Sequence, residues 1–153
     1  MSKWSKWRDI TMDNLTDLGK WPGVYIIRLA NVGYSTPIGR FLKKDKSGLL
    51  AIGESGDLAR RIKEFYHAYN RQIFFRHSAG DRLFFVLAYH HSSWSTSNQN
   101  STVQFKFMRV KNKIEAQNKE AKLLMEYFIR YGELPPLNNS LPNKSNWPTP
   151  KFA

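Results

Sequence analysis

Glu120 lies in a stretch, 114–131, that contains no Gly or Pro and repeats Leu123, Leu124, Tyr127, Phe128 and Tyr131 at helical spacing. At about 100° per residue Glu120 falls within that apolar stripe, whereas Glu115 and Glu126 fall on the solvated side. A carboxylate on an apolar face is unfavourable unless a cation neutralises it. Glu120 therefore either pairs with a Lys or Arg or offers a hard oxygen ligand to a divalent ion such as Mg²⁺. Arg61 lies about 60° from the centre of a second stripe, Leu58, Ile62, Phe65 and Tyr69, at its margin. From there a guanidinium can grip two phosphate oxygens at once, a contact that a lysine cannot reproduce. Arg60, its neighbour, points outward. His77 follows Arg76 in a turn from which an imidazole can approach a phosphate, while His90 and His91 lack acidic neighbours at zinc-ligand spacing.

These side chains need elements to hold them. Trp21-Pro22-Gly23 is a turn signal, and residues 24–29 (VYIIRL) read as a strand in which Tyr25 faces away from Val24 and Ile26. A Gly, Ser, Thr and Pro segment at 33–37 leads into 38–42. A charged turn at 43–48 then precedes a second strand at 49–53, antiparallel to the first. Ser55 or Asp57 caps a helix running from Leu58 to about Ile73. The apolar run 83–89 (LFFVLAY) predicts a third, central strand, the polar stretch 92–102 a loop, and 103–110 an edge strand. The helix of Glu120 stops at Gly132. The first twenty residues predict an arm or short helix, with Trp4 and Trp7 folded back onto the core. Residues 21–140 form the domain and 141–153 an irregular tail. The fold class expected is α+β, a small mixed or antiparallel sheet of three to four strands flanked by helices.

Composition narrows the partners. The 153 residues carry 24 Lys and Arg against 12 Asp and Glu, a net charge of +12. That balance draws polyanions and makes nucleic acid the first partner to consider. There is no cysteine, which excludes disulfides, thiolate zinc sites and cysteine nucleophiles. No apolar run approaches the roughly 18 residues of a membrane span, and the N-terminal residues lack the apolar core of a signal peptide, so a cytoplasmic protein with no membrane contact is expected.

Taken in order, several segments resemble the GIY-YIG nuclease superfamily. Gly23-Val24-Tyr25 resembles the first half of that family's motif, and Ala51-Ile52-Gly53 the second. The run from Glu54 to Ile62 (ESGDLARRI) is similar to its helix with the catalytic arginine. Glu120-Ala121-Lys122-Leu123-Leu124 and the following Tyr131 to Asn138 (YGELPPLN) resemble its glutamate helix and terminal asparagine. The match spans residues 23–138. Such a resemblance implies an α/β sandwich and a metal-dependent DNA endonuclease of restriction, defence or mobile-element type. Tyr25 would take a proton from the attacking water, Arg61 would steady the phosphate, Glu120 would hold one Mg²⁺ or Mn²⁺, and Asn138 would buttress the site. A phenol, with an ordinary value near 10, needs neighbouring positive charge before it can act as a base at neutral pH. Double-stranded DNA would be the substrate, bound by a monomer or by a dimer assembled on it.

The chain departs from the family at two places. Ala51 stands where the second motif usually offers a tyrosine, and Phe65 stands where a tyrosine or histidine often follows the arginine by one turn. Tyr66 and His67, beside it, point to the stripe's far margin and away from it. These departures motivate a second reading, a nucleic-acid-binding module with the same fold and impaired catalysis. Candidate DNA contacts are Arg40, Lys43, Lys44, Arg60, Lys106 and Arg109, with His77 an accessory at the phosphate.

Overall fold

The computed structural model describes residues 3–31, 34–70, 77–89 and 101–150. Its centre is β2 (Gly23–Asn31), whose β-branched residues suit a strand buried on both faces. One edge of β2 pairs along its whole length with antiparallel β5 (Ser101–Arg109), and the other pairs with β4 (Leu49–Ser55) and, at its far end, with the two-residue β3 (Tyr34–Ser35). Beyond β5 lies β1 (Arg8–Asp9), so the expected edge strand is flanked on both sides.

Period-two alternation assigns the faces. Tyr25, Ile27, Leu29, Phe105 and Phe107 turn to one side, where Leu58, Ala59, Ile62 and Phe65 of α1 (Leu58–Tyr69) and Leu83 of α2 (Ser78–Tyr89) cover them. Val24, Ile26, Ile52 and Met108 turn to the other, under Ala116, Leu124, Tyr127 and Tyr131 of α3 (Lys113–Tyr131). The molecule is thus an α+β sandwich on an antiparallel sheet. Asp57 caps α1 by accepting from the Arg60 N–H, and Gly132, at φ 76°, ends α3 in the left-handed conformation that favours glycine.

The run 83–89 is a helix, not the expected central strand. Every position in it is apolar, so periodicity carries no signal there, and tertiary contact decides. Ala79, Gly80 and Leu83 form the buried stripe, and a Cβ on Gly80 would lie 2.7 Å from Ala68 and 2.9 Å from the Phe65 carbonyl, so α2 rests directly on the backbone of α1. The first helix is described to Tyr69; its expected continuation toward Ile73, Gly33, His90, His91 and the polar stretch 92–100 lie outside the described residues. In place of the expected arm or short helix, residues 3–20 carry β1 and one 3₁₀ turn (Asp13–Leu15). Trp4 and Trp7 fold back as expected and stack on Lys106.

The charged turn conceals a buried acid. Asp45 is fully buried and accepts from Tyr127 Oη (2.8 Å), Tyr131 Oη (3.2 Å), the Leu49 N–H (3.1 Å), the Ser47 N–H (2.8 Å) and the Ser47 hydroxyl. Burial alone would raise its pKa, but the hydrogen bonds from Ser47, Tyr127 and Leu49 outweigh burial and hold it below the ordinary carboxylate range. Asp45 thereby ties the loop before β4 to the C-terminal half of α3. Its depressed value means that the contribution is complete at neutral pH and is lost as the pH falls below about 4. Asp45→Ala is expected to lower the unfolding free energy by about 2–4 kcal/mol at pH 7, and by less at pH 3, in urea denaturation.

Candidate active site

No strand among the described residues pairs with the second edge of β4, and the candidate side chains converge there. Tyr25 sits opposite Gly53 across the β2–β4 ladder. Its phenol passes over that glycine, since a Cβ at position 53 would lie 2.3 Å from the Tyr25 oxygen. Only a bare backbone lets the ring cross β4 and reach the edge. Arg61 approaches from α1 on one side and Glu120 from α3 on the other. Asn138 closes the edge itself: its carboxamide accepts from the Ile52 N–H (3.0 Å) and donates to the Ile52 carbonyl (2.8 Å), as a paired strand would. Leu137 donates its N–H to Leu50 (2.9 Å), and Arg82 of α2 holds the Leu137 carbonyl (2.9 Å). The result is a cleft of about 300 Å³ lined by Tyr25, Arg61, His77, Glu54, Glu120 and Asn138, with Leu141 and Pro142 of the tail along its rim.

The structure therefore brings together Tyr25, Arg61, His77, Glu120 and Asn138. It does so at an edge and not across an open face, because α3 covers one side of the sheet while α1 and α2 cover the other.

His77 is the least expected participant. Its Nε2 lies 2.9 Å from the Tyr25 oxygen, and its ring meets Phe65 edge-on at 5.1 Å. Burial, then the Arg61 charge, push its pKa down to about 3, so the ring is neutral at physiological pH. The Gly80 N–H points at Nδ1 (3.4 Å), which assigns the ring proton to Nε2 and makes His77 a donor to the phenol oxygen. The polar group absent at Phe65 thus arrives from the residue that precedes α2. Tyr25 itself is pushed up to about 12: burial raises it most, a charge interaction and a hydrogen bond from Arg61 lower it, and Glu120 and Glu54 raise it again.

Glu54 is the residue that sequence reasoning missed. It lies two positions after Ile52 on β4 and so shares the α3-facing side, a period-two signal obscured by the polar run after it. Its Oε1 lies 3.5 Å from Lys113 Nζ, while Oε2 is buried with no hydrogen-bond partner among the described residues. Glu120 is pushed up to about 7, chiefly by burial and then by the Glu54 charge, with Arg61 and Lys113 offsetting part of the effect. Two under-neutralised carboxylates facing one cleft are the oxygen donors that Mg²⁺ or Mn²⁺ takes. Among the described residues no group of three or more acidic or histidine side chains stands close enough together to hold a metal ion.

The candidate DNA contacts differ in how far they are engaged. Lys43 and Lys44 are exposed, with the Lys43 ammonium 5.9 Å from the centre of the Tyr131 ring. Arg60 is exposed and paired with Glu64 (2.9 Å), and Arg109 stacks on Trp21 at 3.8 Å. Lys106 is partly covered by Trp4 and Trp7, and burial, with the Arg28 charge, lowers its pKa. Arg40 is a clamp rather than a free cation: it donates to the Leu134 carbonyl (2.6 Å), pairs with Glu133 (3.2 Å), and its side chain is only 13% exposed. No helix among the described residues is long and apolar enough to cross a membrane. Comparison of the chain with known protein families, curated proteins and solved structures finds no match.

Glu120 stands at about 7 in the fold against an ordinary 4.5, so the folded state favours its protonated form and stability falls as the pH rises through that window. In the absence of divalent ions, Glu120→Gln is expected to be more stable than the parent at pH 8 by about 1–2 kcal/mol, the full shift being discounted for partial solvation, and close to it at pH 5. Urea denaturation at the two pH values measures the difference.

Proposed function

We propose that this protein is a metal-dependent endonuclease of the GIY-YIG type that hydrolyses phosphodiester bonds in double-stranded DNA. The observation that carries the reading is the convergence of two under-neutralised carboxylates, a guanidinium and a histidine-supported phenol on one cleft of a molecule with a net charge of +12. Glu120 and Glu54 would hold one Mg²⁺ or Mn²⁺, and the orphan oxygen of Glu54 supports that fit. When bound, the ion would supply positive charge to a scissile phosphate and to the water that attacks it.

The remaining work falls to the chain's own groups. Arg61, kept in place by Glu64 (3.2 Å), offers N–H donors to the non-bridging phosphate oxygens as charge builds on them. Tyr25 takes donors from His77 and Arg61 at its oxygen, an arrangement that favours the phenolate. Its pKa is held up by burial and by the two glutamates, and the glutamate contribution disappears once their charge is neutralised. The phenol then ionises more readily, and its phenolate can accept a proton from a water in line with the phosphorus. Asn138 keeps β4 from fraying and so fixes Glu54 and Gly53 relative to Tyr25.

A second reading, a DNA-binding module without turnover, draws on Tyr25's value of about 12 and on Ala51, a buried methyl where the family usually offers a phenol. Supercoiled plasmid incubated with Mg²⁺ or Mn²⁺ separates the two. Nicking is expected, with Glu120→Ala, Arg61→Ala and Glu54→Gln each reducing the rate by about 100-fold or more and His77→Ala by less. Salt-sensitive binding with no nicking at any metal concentration would leave the module.

A further inference from the structure

Residues 39–44 (GRFLKK) form a loop fastened at both ends and apolar at its tip. Ile38 and Asp45 close its base by exchanging two backbone hydrogen bonds (2.8 and 2.7 Å), and Asp45 is the buried acid held by Tyr127 and Tyr131. The loop's own donors are satisfied by the end of α3: the Leu42 N–H reaches the Tyr131 carbonyl (2.9 Å) and the Phe41 N–H reaches Glu133 (2.8 Å). Arg40 adds its two contacts to Leu134 and Glu133. Gly132 leaves room beneath, since a Cβ there would lie 2.7 Å from Leu42 and 2.9 Å from Phe41. Yet Phe41 is 79% exposed and Leu42 is 60% exposed, with Ile129 on the preceding turn of α3 at 59%. Lys43, Lys44 and Arg130 flank them, all exposed.

Large apolar side chains exposed next to each other on a fixed backbone, rimmed by charge, mark an interaction surface. We infer that Phe41 and Leu42 form a rigid wedge that enters a duplex DNA groove and partly unstacks a base step, while Lys43 and Lys44 grip the flanking phosphates. The inference rests on the DNA reading above and adds to it a means of distorting the substrate. Apolar wedges between base steps unstack and kink the duplex at a cost of a few kcal/mol per step, offset by the contacts that the bend permits. The position suits that task. Eleven residues of α3 separate Glu120 from Tyr131, about 16 Å along the helix axis, or about five base-pair steps. A second copy of the chain is a poorer occupant. Self-association through this tip would bring Lys43, Lys44 and Arg130 of both copies together, and three side chains fall well short of the roughly 800 Å² per partner of a stable interface. An anionic membrane surface shares the charge but offers no base step.

The test is a short duplex carrying 2-aminopurine at successive positions, saturated with protein in EDTA, with anisotropy reporting binding and fluorescence reporting unstacking. The parent is expected to raise the fluorescence about 2-fold or more at one or a few positions. Phe41→Ala/Leu42→Ala is expected to abolish that rise at saturation while weakening binding by about 10-fold or less. Lys43→Gln/Lys44→Gln is expected to keep the rise and flatten the salt dependence by about two phosphate contacts. Binding without any rise, or an equal rise in the double alanine variant, overturns the wedge and leaves DNA binding standing. Failure to bind duplex at all overturns both. A dimer in sedimentation, or attachment to phosphatidylserine vesicles, that the double alanine variant loses without a fluorescence change would assign the tip to that occupant instead and overturn the wedge.

Discussion

The organising constraint is electrostatic: two carboxylates, Glu54 and Glu120, face one cleft with too little positive charge beside them. Lys113 meets only one oxygen of Glu54, and Arg61 is engaged by Glu64 and Tyr25 as well. Burial and mutual repulsion leave Glu120 near neutral pH for its titration. A folded protein keeps such a pair only where surrounding packing enforces it. Here that packing is the sandwich itself, in which α3 is pressed on Val24, Ile26 and Ile52 and the tail is laced to β4 by Leu137 and Asn138. The backbone positions of both acids are thereby fixed relative to each other.

The same packing explains why the phenol and the guanidinium arrive from the other face. Among the described residues β4 pairs with β2 alone, and at its second edge side chains from both layers meet. Gly53 opens that route to Tyr25. Asp45 anchors the opposite half of α3, and its ties to Tyr127 and Tyr131 keep the helix from sliding along the sheet. The middle of one helix therefore carries Glu120 of the site, and its C-terminal end carries the loop tip.

Much of this was legible in the sequence. β2 and β4 declared themselves through β-branched residues between turn signals, and the stripe on α3 placed Glu120 inward, where the structure has it. What escaped detection had a physical reason in each case. The run 83–89 is uniformly apolar, so neither period shows, and the resting of Gly80 on α1 decides for helix. Asp45 was hidden among Lys43, Lys44 and Lys46, since a turn full of charge reads as solvated. Only tyrosines 82 and 86 residues later reveal its partners. Glu54 was read with the approach to α1 when it belongs to β4, and period two from Ile52 is the signal that would have found it. Arg40 resembles its neighbouring lysines in sequence but is fastened to Leu134, a contact across 94 residues that no local pattern encodes.

The most direct test of the account is the anomalous scattering of a crystal soaked in Mn²⁺. The account requires one manganese peak in the cleft, in contact with carboxylate oxygens of both Glu120 and Glu54 and on the side that Arg61 and Tyr25 face. A peak bound elsewhere, or a cleft in which Lys113 bridges the two glutamates and excludes the ion at saturating Mn²⁺, would contradict it.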